Sequence, residues 1–453
     1  MFAAHSMYSQ DITGRWNGTL AVQGTQLRLV FNIVKTDSGY RSTMDSPDQG
    51  AKGIAVTSTV FDGAILKLNL TNFKIEYSGV FNDSSIKGTF TQAGQSFPLD
   101  LSRTEVEKKV IPRPQEPLKP YPYYSEDVTF ENKKANLTLA GTLTLPKKEG
   151  VFPVVVLITG SGPQNRDEEL AGHKPFLVLS DYLTRNGIAV LRYDDRGVGQ
   201  SKGEFKTATS ADFASDVSAA VSYLHSRKDI NPTKIGLIGH SEGGLIAPMV
   251  ASRSKDIAFI VLLAGPGLPG NQLLLLQQAA IAKAAGVNDS AIQKAQALNK
   301  GAFDIVTKAT NPQRLKTALT AYIKQISKND PGKPAGMRDD DYVNLQVQQM
   351  SNPWMMYLLK YDPAVALVHV TCPVLAINGE KDLQVLPNEN LNAIKKALAK
   401  GGNKKGTLKE IPGLNHLFQA CNTGLPDEYA AIEQTFSPTA LGVILQWIQL
   451  QVK

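Results

Sequence analysis

The feature that most constrains this fold is a series of five short apolar runs in the last two thirds of the chain. Each run is nearly continuous and rich in β-branched residues, which is typical of strands buried on both faces. Segments with helical spacing lie between them, including 211–224 and 245–252. Strands that alternate with helices predict a mostly parallel sheet covered on both sides. The runs are Val154–Ile158, Ala189–Leu191, Ile235–Ile238, Phe259–Leu263 and Val374–Ile377.

Residues 267–366 interrupt this alternation, because they contain no convincing strand. We therefore expect residues 125–453 to form one α/β domain, with 267–366 inserted into it as a helical cap. The apolar side chains of the cap either pack it onto the sheet or line an acyl pocket beneath it. Helical spacing occurs at 273–285, 291–300, 312–328 and 339–350, and the apolar residues include Leu273–Leu276, Ile281, Met350 and Trp354–Tyr357.

The first 103 residues have a different pattern, because apolar and polar residues alternate. The odd positions of Leu27–Ile33 are all apolar, and similar alternation occurs at 66–71 and 73–78. A period of two broken by Gly, Asn, Asp and Ser predicts antiparallel strands with one wet face. We expect a small β-sandwich or barrel-like domain over 1–103, followed by an extended, proline-rich linker over 104–124.

Composition and charge exclude several classes of function. A chain of 453 residues with 42% hydrophobic content can bury a large core. The net charge is +7, but the basic residues are scattered and form no stripe with aromatic residues. We therefore expect no nucleic-acid partner. Cys372 and Cys421 have neither metal-binding nor redox spacing, and we expect free thiols at opposite ends of the core strands.

No apolar run approaches the length of a transmembrane helix, so we expect no membrane span. The first eleven residues, MFAAHSMYSQD, contain too short an apolar stretch for a signal peptide. They are either a native start, which indicates the cytoplasm, or what remains after a signal is removed, which favours the periplasm or secretion. The sequence is compatible with both alternatives.

The pentapeptide Gly-x-Ser-x-Gly occurs twice, and its surroundings distinguish the two copies. Residues 199–203 lie in a polar, Gly-rich stretch with no helix after it, which is typical of a loop. Residues 239–243 lie between an apolar strand and an apolar helix. This strand–turn–helix context displays a serine hydroxyl beside the free N–H groups of a helix N-terminus. We predict that Ser241 is a nucleophile, and the alternative is an ordinary N-cap serine.

A serine nucleophile needs a base, and His416 has the expected position for one. It follows the strand-like run Gly406–Ile411 and a turn, whereas His173, in the loop after the first core strand, is a weaker candidate. The acid should precede the histidine and follow an earlier strand. Asp382 meets this condition, with Glu380 as a rival. The Asp382 carboxylate would hold the His416 imidazole in the required tautomer.

An oxyanion hole needs two main-chain donors. One is expected at Glu242, directly after the nucleophile, and the other in the loop 159–163 after the first core strand. We favour the Ser161 N–H, with Gly162 as the alternative. The same glycines could suggest a phosphate loop, but the Lys-Ser/Thr ending is missing.

These motifs resemble the α/β-hydrolase superfamily, and more narrowly a bacterial group of esterase or serine-aminopeptidase-like hydrolases with an extra β domain in front. The stretches that carry the resemblance are ITGSGPQNRDE, LRYDDRGVGQSKG, GLIGHSEGG, CPVLAINGEKDLQV and IPGLNHLF, with GRWNGTL and SPDQGAKGIAV in the front domain. The resemblance implies an eight-stranded, mostly parallel sheet, a helical cap and hydrolysis of short-chain acyl esters without a cofactor or metal.

The resemblance also assigns the site residues. It implies a triad of Ser241, Asp382 and His416, with oxyanion donors at Ser161 and Glu242. It implies a structural role beside the site for the loop 195–199. The expected partner is a small-molecule ester. The alternatives are a peptidase or aminopeptidase with the same triad, a thioesterase or lactonase, and a catalytically silent binding protein, against which the three filled triad positions argue.

Glu242 departs from the pattern of many esterases, which have Gln or Met directly after the nucleophile. A carboxylate beside the oxyanion opposes negative charge unless it is paired or turned away. We expect Glu242 to pair with a nearby cation, with Arg166 as the first choice.

Overall fold

The structure is a computed structural model that describes residues 11–22, 25–92, 95–107, 111–327, 333 and 337–453. The start of the chain that bears on a signal peptide lies outside the described residues, as do residues 108–110 of the expected linker. The chain divides into two compact units. The first is Met1–Ile111 with Lys324–Leu345, and the second is Pro112–Ile323 with Gln346–Lys453.

The described part of the first unit contains ten strands that pair antiparallel. They are β1 Gly14–Val22, β2 Thr25–Thr36, β3 Gly39–Ser46, β4 Ala51–Ala55, β5 Ser58–Phe61, β6 Ile65–Leu70, β7 Ile75–Asn82, β8 Ser85–Gln92, β9 Gln95–Pro98 and β10 Leu101–Ser102. Their order is β4-β3-β2-β1-β10-β8-β7-β6-β5, and β9 also pairs with β8.

Alternation places one face of each of these strands in a common core. In β7 every second residue is buried, beginning with Ile75. Trp16, Phe31 and Tyr77 are almost fully buried in that core. The expected all-β front domain is therefore confirmed. Phe73 does not continue the alternation, because it lies in a short 3-10 turn and is 49% exposed.

The second unit is built on an eight-stranded sheet among the residues that the structure describes. The strands are β11 Tyr124–Asn132, β12 Leu137–Leu145, β13 Phe152–Ile158, β14 Ala189–Tyr193, β15 Ile230–His240, β16 Phe259–Leu263, β17 Val374–Gly379 and β18 Gly406–Ile411. The order is β11-β12-β14-β13-β15-β16-β17-β18. From β14 to β18 the pairs are parallel, and β11 and β12 add an antiparallel edge.

Burial on both faces explains the continuous apolar runs. In β13, Val154 and Val156 belong to one core, whereas Val155 and Leu157 belong to the core on the opposite face. Because β13, β15, β17 and β18 run parallel, the loops that follow them emerge at the same edge of the sheet.

Helices cover both faces and also form the insertion between β16 and β17. Among the described residues the α-helices are α1 Pro175–Arg185, α2 Ser210–His225, α3 Glu242–Ala251, α4 Gly270–Ala284, α5 Asp289–Lys308, α6 Pro312–Ile326, α7 Asp339–Ser351, α8 Pro353–Lys360, α9 Ala364–Leu367, α10 Pro387–Lys400 and α11 Pro438–Gln451. The cap comprises α4 to α9, of which α8 and α9 were not expected. Of the helices in the described ranges, none is long and apolar enough to cross a membrane.

The proline-rich stretch after residue 111 belongs to the second unit and packs against other residues of that unit. The Arg113 guanidinium donates to the carbonyl oxygens of Ile432 and Ala430 at 2.5 and 2.8 Å. Thr435 and Phe436 donate their main-chain N–H groups to Gln115. This stretch therefore braces the segment that follows His416 in the chain.

Candidate active site

Ser241 lies at a sharp turn between strand β15 and helix α3. It has φ 51° and ψ −116°, and α3 begins at the next residue. A positive φ is unusual for a residue with a side chain, and such strain is typical of a nucleophile elbow. The turn also needs glycines on both sides. A Cβ at Gly239 would lie 2.0 Å from the Gly243 oxygen, and one at Gly243 would lie 2.1 Å from the Ile158 oxygen.

His416 and Asp382 are in contact. His416 Nδ1 lies 2.9 Å from Asp382 Oδ2, and the two side chains are 4% and 0% exposed. The other oxygen of Asp382 accepts the main-chain N–H groups of Gln384 and Val385 at 2.8 and 2.9 Å. The loop after β17 thus holds this carboxylate in a single orientation toward the ring.

No hydrogen bond joins Ser241 to His416 among the described residues. The ring of His240, the residue before Ser241, has its centroid 4.9 Å from that of His416. His416 Nε2 has no hydrogen-bond partner within the described ranges. Catalytic hydrogen bonds are often open without substrate.

The loop after β13 passes close to Ser241. A Cβ at Gly160 would lie 3.3 Å from Ser241 Cβ, which is closer than most Cβ contacts, so glycine favours this approach. The Gly160 N–H donates to Glu168 Oε1 at 2.6 Å, and the next residue, Ser161, is exposed. The Glu242 N–H is the first of helix α3, where main-chain donors have no partner within the helix.

The side chain of His240, the residue before Ser241, points into the protein. Its Nδ1 lies 2.9 Å from Glu168 Oε1, and its Nε2 lies 3.0 Å from the main-chain oxygen of His416. Glu168 has φ 51° and is 2% exposed, so its carboxylate lies inside the protein. Sequence reasoning missed Glu168, and the only signal for it was the acidic run Asp167–Glu169.

The expected pairing of Glu242 with Arg166 is wrong. Arg166 instead binds Asp194 at 2.7 Å and Asp127 at 3.2 Å. Glu242 Oε1 accepts two neutral donors, the Ser210 hydroxyl at 2.6 Å and the Trp354 indole N–H at 2.8 Å. Burial raises the pKa of Glu242, although these two hydrogen bonds lower it.

Asp195 ties both ends of the loop after β13 to the sheet. Its carboxylate accepts the Thr159 hydroxyl at 2.8 Å and the Gln164 N–H at 3.0 Å. Burial raises the pKa of Asp195 to about 8, although the same two donors lower it and the charges of Glu242 and Glu168 raise it further. Asp195 therefore holds the two ends of this loop together.

The rival residues have other partners. The Ser201 hydroxyl donates to the Asp194 main-chain oxygen at 2.6 Å. His173 lies 3.0 Å from the Thr435 hydroxyl and 2.8 Å from the Tyr429 oxygen. Glu380 is exposed and accepts the Gly413 N–H at 2.8 Å. Both cysteines have free thiols.

Comparison with known families matches residues 176–419 to the family described as serine aminopeptidase, S33. The match covers more than half of the chain and includes the elbow and the His416–Asp382 pair. The chain belongs to the serine aminopeptidase S33 family. Its second unit accordingly has the α/β-hydrolase fold with a helical cap insertion, and the all-β first unit precedes it.

The curated relatives of this S33 family member match it over only part of their length. Esterase EstD of Thermotoga maritima is 34% identical over 154 residues, which is 34% of this chain and 37% of EstD. A putative carboxymethylenebutenolidase of Synechocystis is 28% identical over 131 residues, 28% of this chain and 52% of that protein. The chain therefore spans less than two thirds of the length of either relative.

Solved structures of similar shape include two hydrolases. The α/β hydrolase GrgF from Penicillium sp. sh18 has a TM-score of 0.47 and 15% identity, covering 73% of this chain and 99% of GrgF. The Pyrococcus furiosus esterase PF2001 has a TM-score of 0.45 and 16% identity, covering 77% and 97% respectively.

Proposed function

We propose that this S33 family member hydrolyses carboxylic esters, with short acyl chains favoured, through an acyl-enzyme. In this proposal Ser241 is the nucleophile, His416 the base and Asp382 the residue that orients the base. The observation that carries it is the positive φ of Ser241 between a strand and a helix, because strain at a serine in this context is typical of a nucleophile elbow.

Acylation begins when Ser241 Oγ attacks the acyl carbon and its proton passes to His416 Nε2. The resulting oxyanion is stabilised by the main-chain N–H groups of Ser161 and Glu242. When the carbon–oxygen bond to the alcohol breaks, the leaving oxygen takes the proton from His416. Asp382 stabilises the imidazolium and holds its tautomer throughout.

Deacylation repeats these steps with water in place of the Ser241 hydroxyl. Water gives a proton to His416 and attacks the acyl carbon, and the carboxylic acid leaves as the proton returns to Ser241. This scheme predicts ping-pong kinetics with an acyl-enzyme on the path.

A preference for short acyl chains is supported by the cap. Trp354 and Tyr357 of α8 pack against the core cluster beneath them. The Trp354 indole is tied to Glu242, the residue after the nucleophile. A large ring fixed so close to the elbow limits the room for a long acyl chain.

The second candidate is an aminopeptidase, which the description of the family favours. An aminopeptidase needs free carboxylates to bind the substrate ammonium group. Around the elbow, Glu168, Glu242 and Asp195 are 2%, 5% and 7% exposed, and each already accepts hydrogen bonds from protein groups. These three acids are thus committed within the protein, so we favour the esterase.

Two assays test the proposal. A fluorophosphonate probe should label the wild type and should fail to label Ser241→Ala. Ser201→Ala is the matched control, because Ser201 lies in the other Gly-x-Ser-x-Gly copy, and it should keep its label. Turnover of p-nitrophenyl acyl esters should exceed that of aminoacyl p-nitroanilides, and the reverse ratio would favour the aminopeptidase.

A further inference from the structure

Glu168 and His240 form a buried ion pair that the proposed reaction does not use. Their facing atoms are 2.9 Å apart, and the side chains are 3% and 7% exposed. A buried pair costs desolvation energy and is weak evidence for stability by itself. The other contacts of Glu168 and His240 indicate what the pair does.

Each member of the pair binds a different loop beside Ser241. The Glu168 oxygen that faces His240 also accepts the Gly160 N–H at 2.6 Å. On the other side, His240 Nε2 lies 3.0 Å from the main-chain oxygen of His416. One continuous chain of hydrogen bonds therefore runs from the loop after β13, through Glu168 and His240, to the backbone of the proposed base.

The side chains around the pair are mainly apolar and include Phe176, Leu263 and Phe418. Burial lowers the pKa of His240, but the charge and hydrogen bond of Glu168, the His416 carbonyl and the charge of Asp382 raise it above its usual value overall. An imidazolium donates from both nitrogens, which the two acceptors require.

We infer that Glu168 and His240 are positioning residues. They hold the loop after β13 and the loop that carries His416 in fixed positions on the two sides of Ser241. The inference rests on the proposed function. The Gly160 N–H that Glu168 fixes belongs to the residue directly before Ser161, so this bond anchors the peptide that precedes the proposed donor. The carbonyl that His240 fixes belongs to the base itself.

The close packing at Gly160 makes this link stiff. A Cβ there would lie 3.3 Å from Glu168 Oε1 and 3.5 Å from His240 Nδ1, in addition to its contact with Ser241. A catalytic site loses about 10²-fold in rate when a group is displaced by about 1 Å. Loosening the link should therefore lower the rate of the chemical step without removing any group that touches substrate.

The test compares Glu168→Gln and His240→Asn with Glu169→Gln, a matched control at the exposed neighbouring acid. For a p-nitrophenyl ester, kcat should fall about 10- to 100-fold in the two pair variants, with KM within about 3-fold of the wild type. Affinity for a trifluoromethyl ketone, which forms an oxyanion on Ser241, should fall by the same factor as kcat/KM. Glu169→Gln should match the wild type in all three quantities.

The double variant adds a readout that a merely structural role would not give. Because the two residues form one link, Glu168→Gln with His240→Asn should lose no more kcat than the worse single variant. Thermal melting at the assay pH confirms that each variant is folded. If His240→Asn does not fold, Glu168→Gln decides alone, because it keeps the shape of the side chain but removes the carboxylate charge that holds the His240 imidazolium.

Three results would overturn the inference: wild-type kcat and ketone affinity in the folded pair variants, losses confined to KM, or losses that add in the double variant. Ser241→Ala separates this failure from failure of the proposed function. An inactive Ser241→Ala beside fully active pair variants removes only the positioning role, whereas an active Ser241→Ala removes the nucleophile itself.

Discussion

The indole N–H of Trp354 donates to Glu242 Oε1 at 2.8 Å, which ties cap helix α8 to the first residue of the helix that follows Ser241. The same oxygen accepts the Ser210 hydroxyl at the start of α2. Three helices thus meet at one carboxylate beside the elbow, and the cap position depends on that contact.

Trp354→Phe should weaken this attachment, because it removes the donor and keeps most of the bulk. Losing one of the two hydrogen bonds to a buried carboxylate should cost about 1–3 kcal/mol in unfolding free energy. KM for the ester should also rise severalfold as the cap loosens. Urea unfolding and steady-state kinetics measure both effects.

Trp447→Phe is the control for that prediction. The Trp447 indole binds the Thr407 hydroxyl at 3.2 Å in an exposed setting, so its loss should cost under about 1 kcal/mol. Equal effects of the two substitutions would show that the Glu242 contact has no special weight.

Glu242→Gln should change how stability depends on pH. Burial raises the pKa of Glu242, so its contribution to stability is complete below the unfolded pKa and is lost as pH rises through the folded value. The glutamine variant should therefore match the wild type near pH 4 and exceed it at pH 8. The gap should be about 1.4 kcal/mol for each unit of raised pKa.

Urea unfolding of both proteins at several pH values measures this gap, and a gap independent of pH would contradict the prediction. Ester kcat should not fall in Glu242→Gln, because the oxyanion donor is the main-chain N–H and the charge beside it is gone.

Asp382→Asn should lower kcat by about 10⁴-fold, because an amide no longer selects the required His416 tautomer. Glu380→Gln is the matched control, two residues away on the same loop, where the exposed carboxylate accepts the Gly413 N–H. Its kcat should stay within about 2-fold of the wild type, as expected for a surface substitution. A larger loss in Glu380→Gln than in Asp382→Asn would exchange their roles.

Gly239→Ala should disrupt the elbow, because its Cβ would lie 2.0 Å from the Gly243 carbonyl oxygen. Overlap with backbone cannot be relieved by a side-chain rotation, so we expect a loss above about 4 kcal/mol or no soluble protein. Gly442→Ala in α11 meets no atom within 4 Å and should stabilise the fold by about 0.5–1 kcal/mol. Thermal and urea unfolding compare the two, and similar stabilities would contradict the prediction.

Much of the parallel sheet could be predicted, because strands buried on both faces leave continuous apolar runs. Strand β12 escaped that rule. Its buried residues include Thr142, whose hydroxyl donates to the exposed Asp127 carboxylate, and Thr144, whose hydroxyl binds the buried Thr184 hydroxyl. A polar residue satisfied by a distant partner breaks the apolar run without leaving the core.

In the candidate site, too, some features could be predicted from the sequence and others could not. The sharp strand-to-helix turn at Ser241 could be predicted, because the information for it lies in five residues and their flanks. The partners of Glu242 could not, since Trp354 is 112 residues away in the cap. Glu168 could not be distinguished from its acidic neighbours, because its buried contact with His240 joins residues far apart in the chain.

The most direct test of the central claim is the mass of the acyl-enzyme. Quenched early in the turnover of p-nitrophenyl acetate, the protein should gain one acetyl group per chain. Peptide mapping should place that group on Ser241, and the adduct should vanish in Ser241→Ala together with turnover. An acetyl group on another residue, or full turnover in Ser241→Ala, would contradict the account.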